Sequence, residues 1–253
     1  MAFTTDIPVI ETAVQGWRDA AAARKKMPMM FWTAIGILIA LSILHMLIGG
    51  WGSFSFIVAV ILALAQAAAL TPLAIAVHRF VLLGEAGDRY DFAPGDPRFQ
   101  KFFLFTIALN VLCAIPAIIA LPLALASPFL AGIVVLILVI AIVIVCVRTV
   151  IVFPSIAVDA PGADWRNAMA DAKGHSWRIF FVLFCVALPA VVVELVLVAI
   201  FSWMWLLATI VAALIAPVIT VFLLAAVAAV ASRLYAAYAN QLGRPPNVAR
   251  AVV

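Results

Sequence analysis

Residues 129–153 read FLAGIVVLILVIAIVIVCVRTVIVF, and their only charged side chain is that of Arg148. Because an α-helix rises about 1.5 Å per residue, a run of this length crosses a hydrocarbon core of about 30 Å. Five further apolar runs of similar length lie along the chain, at about 29–49, 54–80, 102–126, 179–203 and 205–231. We therefore predict an all-α polytopic membrane protein with six transmembrane helices.

The composition of the whole chain excludes an ordinary soluble protein. Hydrophobic residues make up 68% of its 253 residues and charged residues 10%, whereas a soluble domain is about half apolar and about a quarter charged. The formal net charge is +4, yet no stripe of basic residues with interleaved aromatics is present. We therefore predict no nucleic-acid partner, and we interpret the positive charge as a signal of membrane topology.

The connections between the six runs alternate between short and long. Residues 49–53, 127–128 and 202–205 form short, uncharged connections, whereas 81–101 and 154–178 are longer and polar. This alternation predicts three helical hairpins, each closed by a short connection.

All fifteen lysine and arginine residues lie on one side of the predicted membrane. They occur before the first run, in the two long connections with the adjoining helix ends, and in the tail. Because cytoplasmic loops carry the excess of positive charge, we predict that both termini are cytoplasmic. Trp51, Trp203 and Trp205 mark the opposite edge, where tryptophan favours the level of the lipid headgroups.

Two segments on the cytoplasmic side have the pattern of helices that lie on the membrane surface. In residues 8–26, apolar side chains recur at helical spacing (Ile10, Val14, Trp17, Ala21), and in 163–177 they do so again (Trp165, Met169, Ala172, Trp177). An amphipathic helix of this kind fits the headgroup boundary. The alternative is that each packs against the other cytoplasmic loops. The predicted organisation is a segment at 1–28 with an amphipathic helix, a membrane domain at 29–231 and a tail at 232–253.

Ionisable side chains within membrane spans are the first functional candidates, because burying them is costly. Glu194 and His45 lie about 22–24 Å from the inner edge, and Gln66 and Asn110 form a second layer about 12 Å from it. For each pair the structural alternative is a hydrogen bond between helices. Because His45 is the one intramembrane group at the depth of Glu194 that can become a cation, we predict that the first and fifth spans approach each other. Otherwise Glu194 faces a wet cavity.

Three arginines near the cytoplasmic ends of even-numbered spans are candidates for contact with lipid headgroups: Arg79, Arg148 and Arg233. A long side chain near the end of a span reaches the interface while its aliphatic part stays in the membrane. His78 and His175 have no neighbours at metal-ligand spacing, so we interpret both as surface histidines. The three cysteines lie in apolar runs without a C-x-x-C motif, and we predict neither a metal nor a cofactor.

Several short motifs resemble a bacterial family. They are AVQGW at 13–17, HRFVLLGE at 78–85, FPSIAVD at 153–159, SWR at 176–178 and RLYAAY at 233–238. In content and order they are similar to the YciC-like inner-membrane proteins, which are related to the membrane domain fused to some glycerophosphodiester phosphodiesterases. The resemblance implies a helical protein of the bacterial inner membrane. It implies no hydrolase activity, because the sequence contains no phosphodiesterase domain.

Three functions compete on this evidence. The first is a non-enzymatic membrane protein that binds or organises lipids or partner proteins through its basic cytoplasmic face. The alternative is a small transporter or channel that uses Glu194, and a pore with so few polar residues would require an oligomer. A lipid-modifying enzyme has the least support, because its candidate groups have no recognisable motif spacing: Glu85, Asp88, Asp91, Asp96, Asp159 and His175.

Overall fold

The computed structural model of the chain describes residues 7–48, 55–201 and 203–243, and these ranges contain helices and no strand. The helices are α1 (Val9–Lys26), α2 (Pro28–Ile48), α3 (Ser55–Leu83), α4 (Pro97–Ala126), α5 (Pro128–Thr149), α6 (Val152–Ala157), α7 (Trp165–Asp171), α8 (Ser176–Phe201) and α9 (Trp205–Tyr238).

Six stretches of helix are long and apolar enough to cross a membrane, which confirms the all-α polytopic architecture. They are α2, α3, α4, α5 continued by α6, α8 and α9. The pairs α2/α3, α4/α5 and α8/α9 pack as the three predicted hairpins. Helix α9 is central, because it packs against α1, α2, α3, α6 and α8, whereas the α4/α5 hairpin lies at the side of the bundle.

Proline and capping residues determine where α4 and α5 begin. Pro97 and Pro128 occupy the first turns of α4 and α5, where proline loses no hydrogen bond. The Asp96 carboxylate accepts a hydrogen bond from the Arg98 backbone N–H at 2.9 Å, and Ser127 caps α5 in the same way. Helix α4 therefore begins five residues before the predicted position 102 (at Pro97).

The fourth span, predicted at 129–153, is observed as α5 continued by α6, with an interruption of the helical hydrogen bonding between them. Helix α5 ends at Thr149, and the chain turns before the short helix α6. Pro154 has no N–H for the carbonyl of Val150, so the helical hydrogen bonding of α5 cannot continue through this position. The short helix packs against α3, α4 and α9, and it brings Asp159 close to the ends of α3 and α4.

Helix α1 confirms the predicted helix at 8–26, but it packs on a different face from the predicted apolar one. Its buried residues are Thr12, Ala13, Gly16, Ala20 and Ala23, and this face contacts α8 and α9. Small side chains allow the backbones to approach closely, which explains why this face meets the bundle. Of the predicted apolar residues, Trp17 also reaches the bundle, where its Nε1 donates to the Val186 carbonyl at 3.2 Å. Ile10 is 73% exposed, and its contact with lipid stays a prediction.

The second predicted surface helix, 163–177, is wrong as a single element. Helix α7 ends at Asp171, Gly174 adopts φ +89°, and α8 begins at Ser176. Only glycine adopts this backbone conformation without strain, so the chain changes direction there.

The end of α7 also holds the chain that follows α9. The Asp171 carboxylate accepts hydrogen bonds from the backbone N–H groups of Asn240, Gln241 and Leu242.

Candidate functional site

The arginines of the described bundle gather at one end, which we call the basic end and define by Arg79, Arg98, Arg148 and Arg233. It is formed by the last turns of α3, α5 and α9 and the first turns of α4 and α8. An arginine of this end can attract an external anion more strongly when no carboxylate of the chain is already bound to it.

Two of these arginines belong to one network of ion pairs. Arg79 binds Glu85, with 2.6 Å between Nη2 and Oε2, and donates from Nη1 to the Ala157 carbonyl at 3.0 Å. Arg98 forms a two-point ion pair with Asp159. Hydrogen bonding from Arg98 lowers the pKa of the Asp159 carboxyl below its ordinary value of 3.8. The network fastens α3, α4 and the chain after α6 to one another.

Residues 84–96 fold back over this network. Asp88 accepts a hydrogen bond at 2.7 Å from the backbone N–H of Met29 in the first turn of α2, a favourable position for a carboxylate. The Tyr90 hydroxyl donates to the Ala69 carbonyl at 2.6 Å, and desolvation raises the pKa of Tyr90. The segment encloses a cavity of about 240 Å³ that has several charged lining residues: Arg79, Glu85, Arg89, Asp91, Asp96 and Arg98.

The fold thus brings together carboxylates that show no motif spacing in the sequence. Glu85, Asp91 and Asp96 line one cavity, with Asp159 at its edge through Arg98. Across residues 7–48, 55–201 and 203–243, no three Asp, Glu, His or Cys side chains form a group that could hold a metal ion. The observed contacts of Glu85 and Asp159 are ion pairs with arginines, which is an arrangement that holds helix ends together.

Arg233 is also paired, and its partner is on α1. Its Nε donates to Asp19 at 2.6 Å, and the Asp19 side chain is only 16% exposed. Gln15 donates a further hydrogen bond to the same carboxylate at 3.2 Å. This pair fixes α1 across the basic end of α9.

Arg148 has a different environment from the other three. Its Nε donates to the Ser176 hydroxyl at 2.9 Å, and within the described residues it has no carboxylate partner. It lies at the end of a groove of about 510 Å³ between α5 and α8. The walls are mainly apolar and are formed by Val139, Ile140, Val143, Ile144, Val147, Gly174, Trp177 and Phe180.

His45 and Glu194 line two separate clefts that meet at α9. His45 lines a cleft with Thr209 and Ala212 of α9, and Glu194 lines another, of about 560 Å³, which includes the same two α9 residues. The predicted depth of the two residues in the membrane stays a prediction. Helix α9 packs against both α2 and α8, whereas the described residues of α2 and α8 have little direct contact with each other, so the predicted approach of the first and fifth spans is not observed. The predicted alternative, that Glu194 faces a wet cavity, stays a prediction.

The two intramembrane amides do not bond to each other within the described ranges. Asn110 is exposed on α4 and donates from Nδ2 to the Thr106 carbonyl of its own helix at 2.8 Å. Gln66 is half-buried on α3. A polar side chain that bonds its own helix needs no partner helix, so Asn110 makes no link between spans.

His78 is not a surface histidine as the sequence predicts. Its side chain is buried, its Nδ1 lies 2.8 Å from the Ser232 hydroxyl, and its ring contacts Phe102 at a centroid distance of 5.9 Å. The sequence contains one indication that His78 and Ser232 lie at the same level of the bundle, because each directly precedes an arginine at the same end of its helix. His175 stacks on Tyr238 at a centroid distance of 4.4 Å.

Comparison with known proteins adds no relative: no protein-family model, curated protein or solved structure matches this chain.

Proposed function

We propose that this chain is a non-enzymatic integral protein of the bacterial inner membrane that binds anionic lipids at its basic end. In this proposal both termini and the basic end are cytoplasmic. The one-sided placement of all fifteen lysine and arginine residues supports the orientation. The similarity of its motifs to YciC-like proteins supports the bacterial inner membrane.

The observation that carries the proposal is the separation of charged and apolar regions along the bundle. Ion pairs of the described residues occur at the basic end, where they join Arg79, Arg98 and Arg233 to carboxylates. The clefts deeper in the bundle have mostly apolar walls, with His45 and Glu194 as isolated ionisable groups. Such a distribution favours surface attraction of an anionic leaflet over a continuous polar path, and each basic group that has no carboxylate partner contributes about 1 kcal/mol to that attraction.

The test is lipid selectivity of the full chain. The protein purified in mild detergent is mixed with equal amounts of phosphatidylglycerol and phosphatidylcholine, and retained lipid is measured by mass spectrometry. We expect phosphatidylglycerol to be enriched and the enrichment to weaken from about 0.1 M to about 1 M salt, where the screening length falls from about 10 Å to about 3 Å. Equal retention of both lipids at low salt would refute the proposal.

A second form of this proposal is that the chain binds partner proteins at its cytoplasmic face. Trp165 on α7 is half-exposed, with the Arg166 guanidinium 5.4 Å from its ring centroid. Aromatic and arginine side chains of this kind are enriched at protein interfaces. Crosslinking in native membranes followed by purification tests this form, because a protein partner would be recovered in fixed proportion whereas bound lipid alone would not.

Transport through Glu194 is the other candidate, and an oligomer is compatible with it. The observation in its favour is the cleft of about 560 Å³ between α8 and α9, where Glu194 is exposed. Proteoliposomes with a proton-sensitive dye distinguish the two functions. A proton flux in the wild-type chain that Glu194→Gln abolishes would favour transport.

A further inference from the structure

The groove between α5 and α8 has the dimensions of a ligand site. Helix α5 packs closely on α4 and only loosely on α8, and the space left between them measures about 510 Å³. Ligand cavities in proteins span about 300–1,000 Å³, and most have mainly apolar walls with a few placed polar groups. From Val139 to Val147 the α5 wall extends for about 12 Å at the rise of a helix, along the direction in which acyl chains run.

The polar groups of the groove lie together at its basic end. Arg148 and Ser176 are bonded to each other there, and the groove lining contains no carboxylate. Trp177 stands beside them with 75% of its surface exposed, the position of a ring that favours the headgroup level. The groove is therefore amphipathic along its length, apolar toward the membrane interior and cationic at the end.

Among the residues that the structure describes, Arg148 has no carboxylate partner, and this indicates the charge of the ligand. Arg79, Arg98 and Arg233 each bind a carboxylate, but the half-buried guanidinium of Arg148 binds a neutral hydroxyl. A partly desolvated charge without a counterion is unfavourable, so an anion at this position would be bound preferentially. The guanidinium is a planar fork that matches the oxygens of a phosphate, and its hydrogen bonds to an ionised group are about twice as strong as neutral ones.

We propose that this groove binds one anionic glycerophospholipid. Its phosphate contacts Arg148 and Ser176, and one acyl chain lies along Val139, Val143 and Val147. The proposal rests on the anionic-lipid function above and assigns it to a single site. Charge complementarity selects this occupant, because an apolar helix of a second copy would leave the guanidinium without an anion.

The test compares four variants of the full chain in detergent, titrated separately with phosphatidylglycerol and phosphatidylcholine and analysed by native mass spectrometry. Arg148→Gln removes the cation and should weaken binding of the first phosphatidylglycerol about tenfold, as expected from losing one charge-assisted interaction. Arg148→Lys keeps a point charge and should lose less. Ile144→Trp fills the groove and should weaken both lipids. Arg18→Gln is the matched control, since it removes the same charge from an exposed position on α1 and should leave the first binding event unchanged.

The outcomes separate this site from the general proposal. If the wild-type chain shows no preference for phosphatidylglycerol, the proposed function itself fails. If the preference is present but Arg148→Gln and Ile144→Trp both match the control, anionic lipid binds elsewhere and the groove assignment is wrong. A change from a dimer to a monomer in Ile144→Trp, without loss of lipid, would assign the groove to a second copy and also overturn it. Thermal unfolding of Arg148→Gln and Ile144→Trp shows whether each remains folded, and the variant that does so decides the result.

Discussion

The contact of α1 with α9 should depend on the missing side chain of Gly16. A Cβ atom placed on Gly16 would lie 2.3 Å from Cγ2 of Val230 and 3.1 Å from the Ala226 carbonyl oxygen. Val230 is buried, and a β-branched side chain in a helix has one strongly preferred rotamer, so it cannot turn away. The second neighbour is backbone and moves only with the whole helix. We therefore expect Gly16→Ala to push α1 away from α9.

The magnitude follows from two opposing effects. Overpacking a close contact costs about 1–3 kcal/mol, whereas alanine improves on glycine within a helix by about 1 kcal/mol. Gly36 provides the matched control, because it lies within α2 and a Cβ there meets no atom within 4 Å. Since the helix-propensity gain is shared, Gly16→Ala should be less stable than Gly36→Ala by about 1–3 kcal/mol.

The assay is unfolding in mixed micelles, followed by the helical circular-dichroism signal and by tryptophan fluorescence. Val230→Ala removes the methyl group at the shorter distance, so the double variant Gly16→Ala/Val230→Ala should be more stable than the sum of the single effects by about 0.5–3 kcal/mol. Equal stability of Gly16→Ala and Gly36→Ala would refute the close packing of α1 on α9. Additive effects in the double variant would show that Val230 is not the obstructing side chain.

Three further outcomes are expected. Arg98 depresses the folded-state pKa of Asp159, so their ion pair should stabilise the fold fully above about pH 4 and lose its effect at lower pH. Its contribution to the free energy of unfolding should be less than about 1 kcal/mol, because the pair is largely exposed. Asp159→Asn should therefore remove this part of the acid dependence of the melting temperature. His78→Ala should destabilise the chain by about 2–4 kcal/mol through a cavity and a lost hydrogen bond to Ser232, and a melting temperature equal to wild type would contradict its buried position. If Glu194 has no transport role, Glu194→Gln and Glu194→Leu should both match wild type in melting temperature and proteoliposome proton flux, whereas a flux lost in both would favour transport.

The membrane-spanning architecture was predictable because length and apolarity alone determine whether a helix can cross a bilayer. The short connection at Ser127-Pro128 likewise determines that α4 and α5 form a hairpin, since it leaves no room for another arrangement. The breaks were less predictable. Pro154 and Gly174 interrupt helices where apolar or amphipathic periodicity continues through them.

The packing face of α1 was not predictable from hydrophobicity. The periodicity of Ile10 and Val14 identifies an apolar face, but in a membrane protein every face of a helix has an apolar partner available. Close approach then decides which face packs, and it favours the small residues Ala13, Gly16 and Ala20. The spacing of small residues, rather than of large ones, was the informative pattern in this segment.

The four arginines of the basic end show why equivalent sequence positions do not have equivalent roles. Glu85, the partner of Arg79, lies six residues further along the chain, whereas Asp19, the partner of Arg233, is 214 residues away, so only the folded chain reveals that pair. An arginine bound to a carboxylate attracts lipid phosphate less, because the phosphate must compete with a charge that is already in place. Arg148 has no such competitor among the described residues. The headgroup contact predicted for Arg79, Arg148 and Arg233 alike should therefore fall mainly on Arg148, and replacing either of the other two by glutamine should reduce stability more than lipid retention.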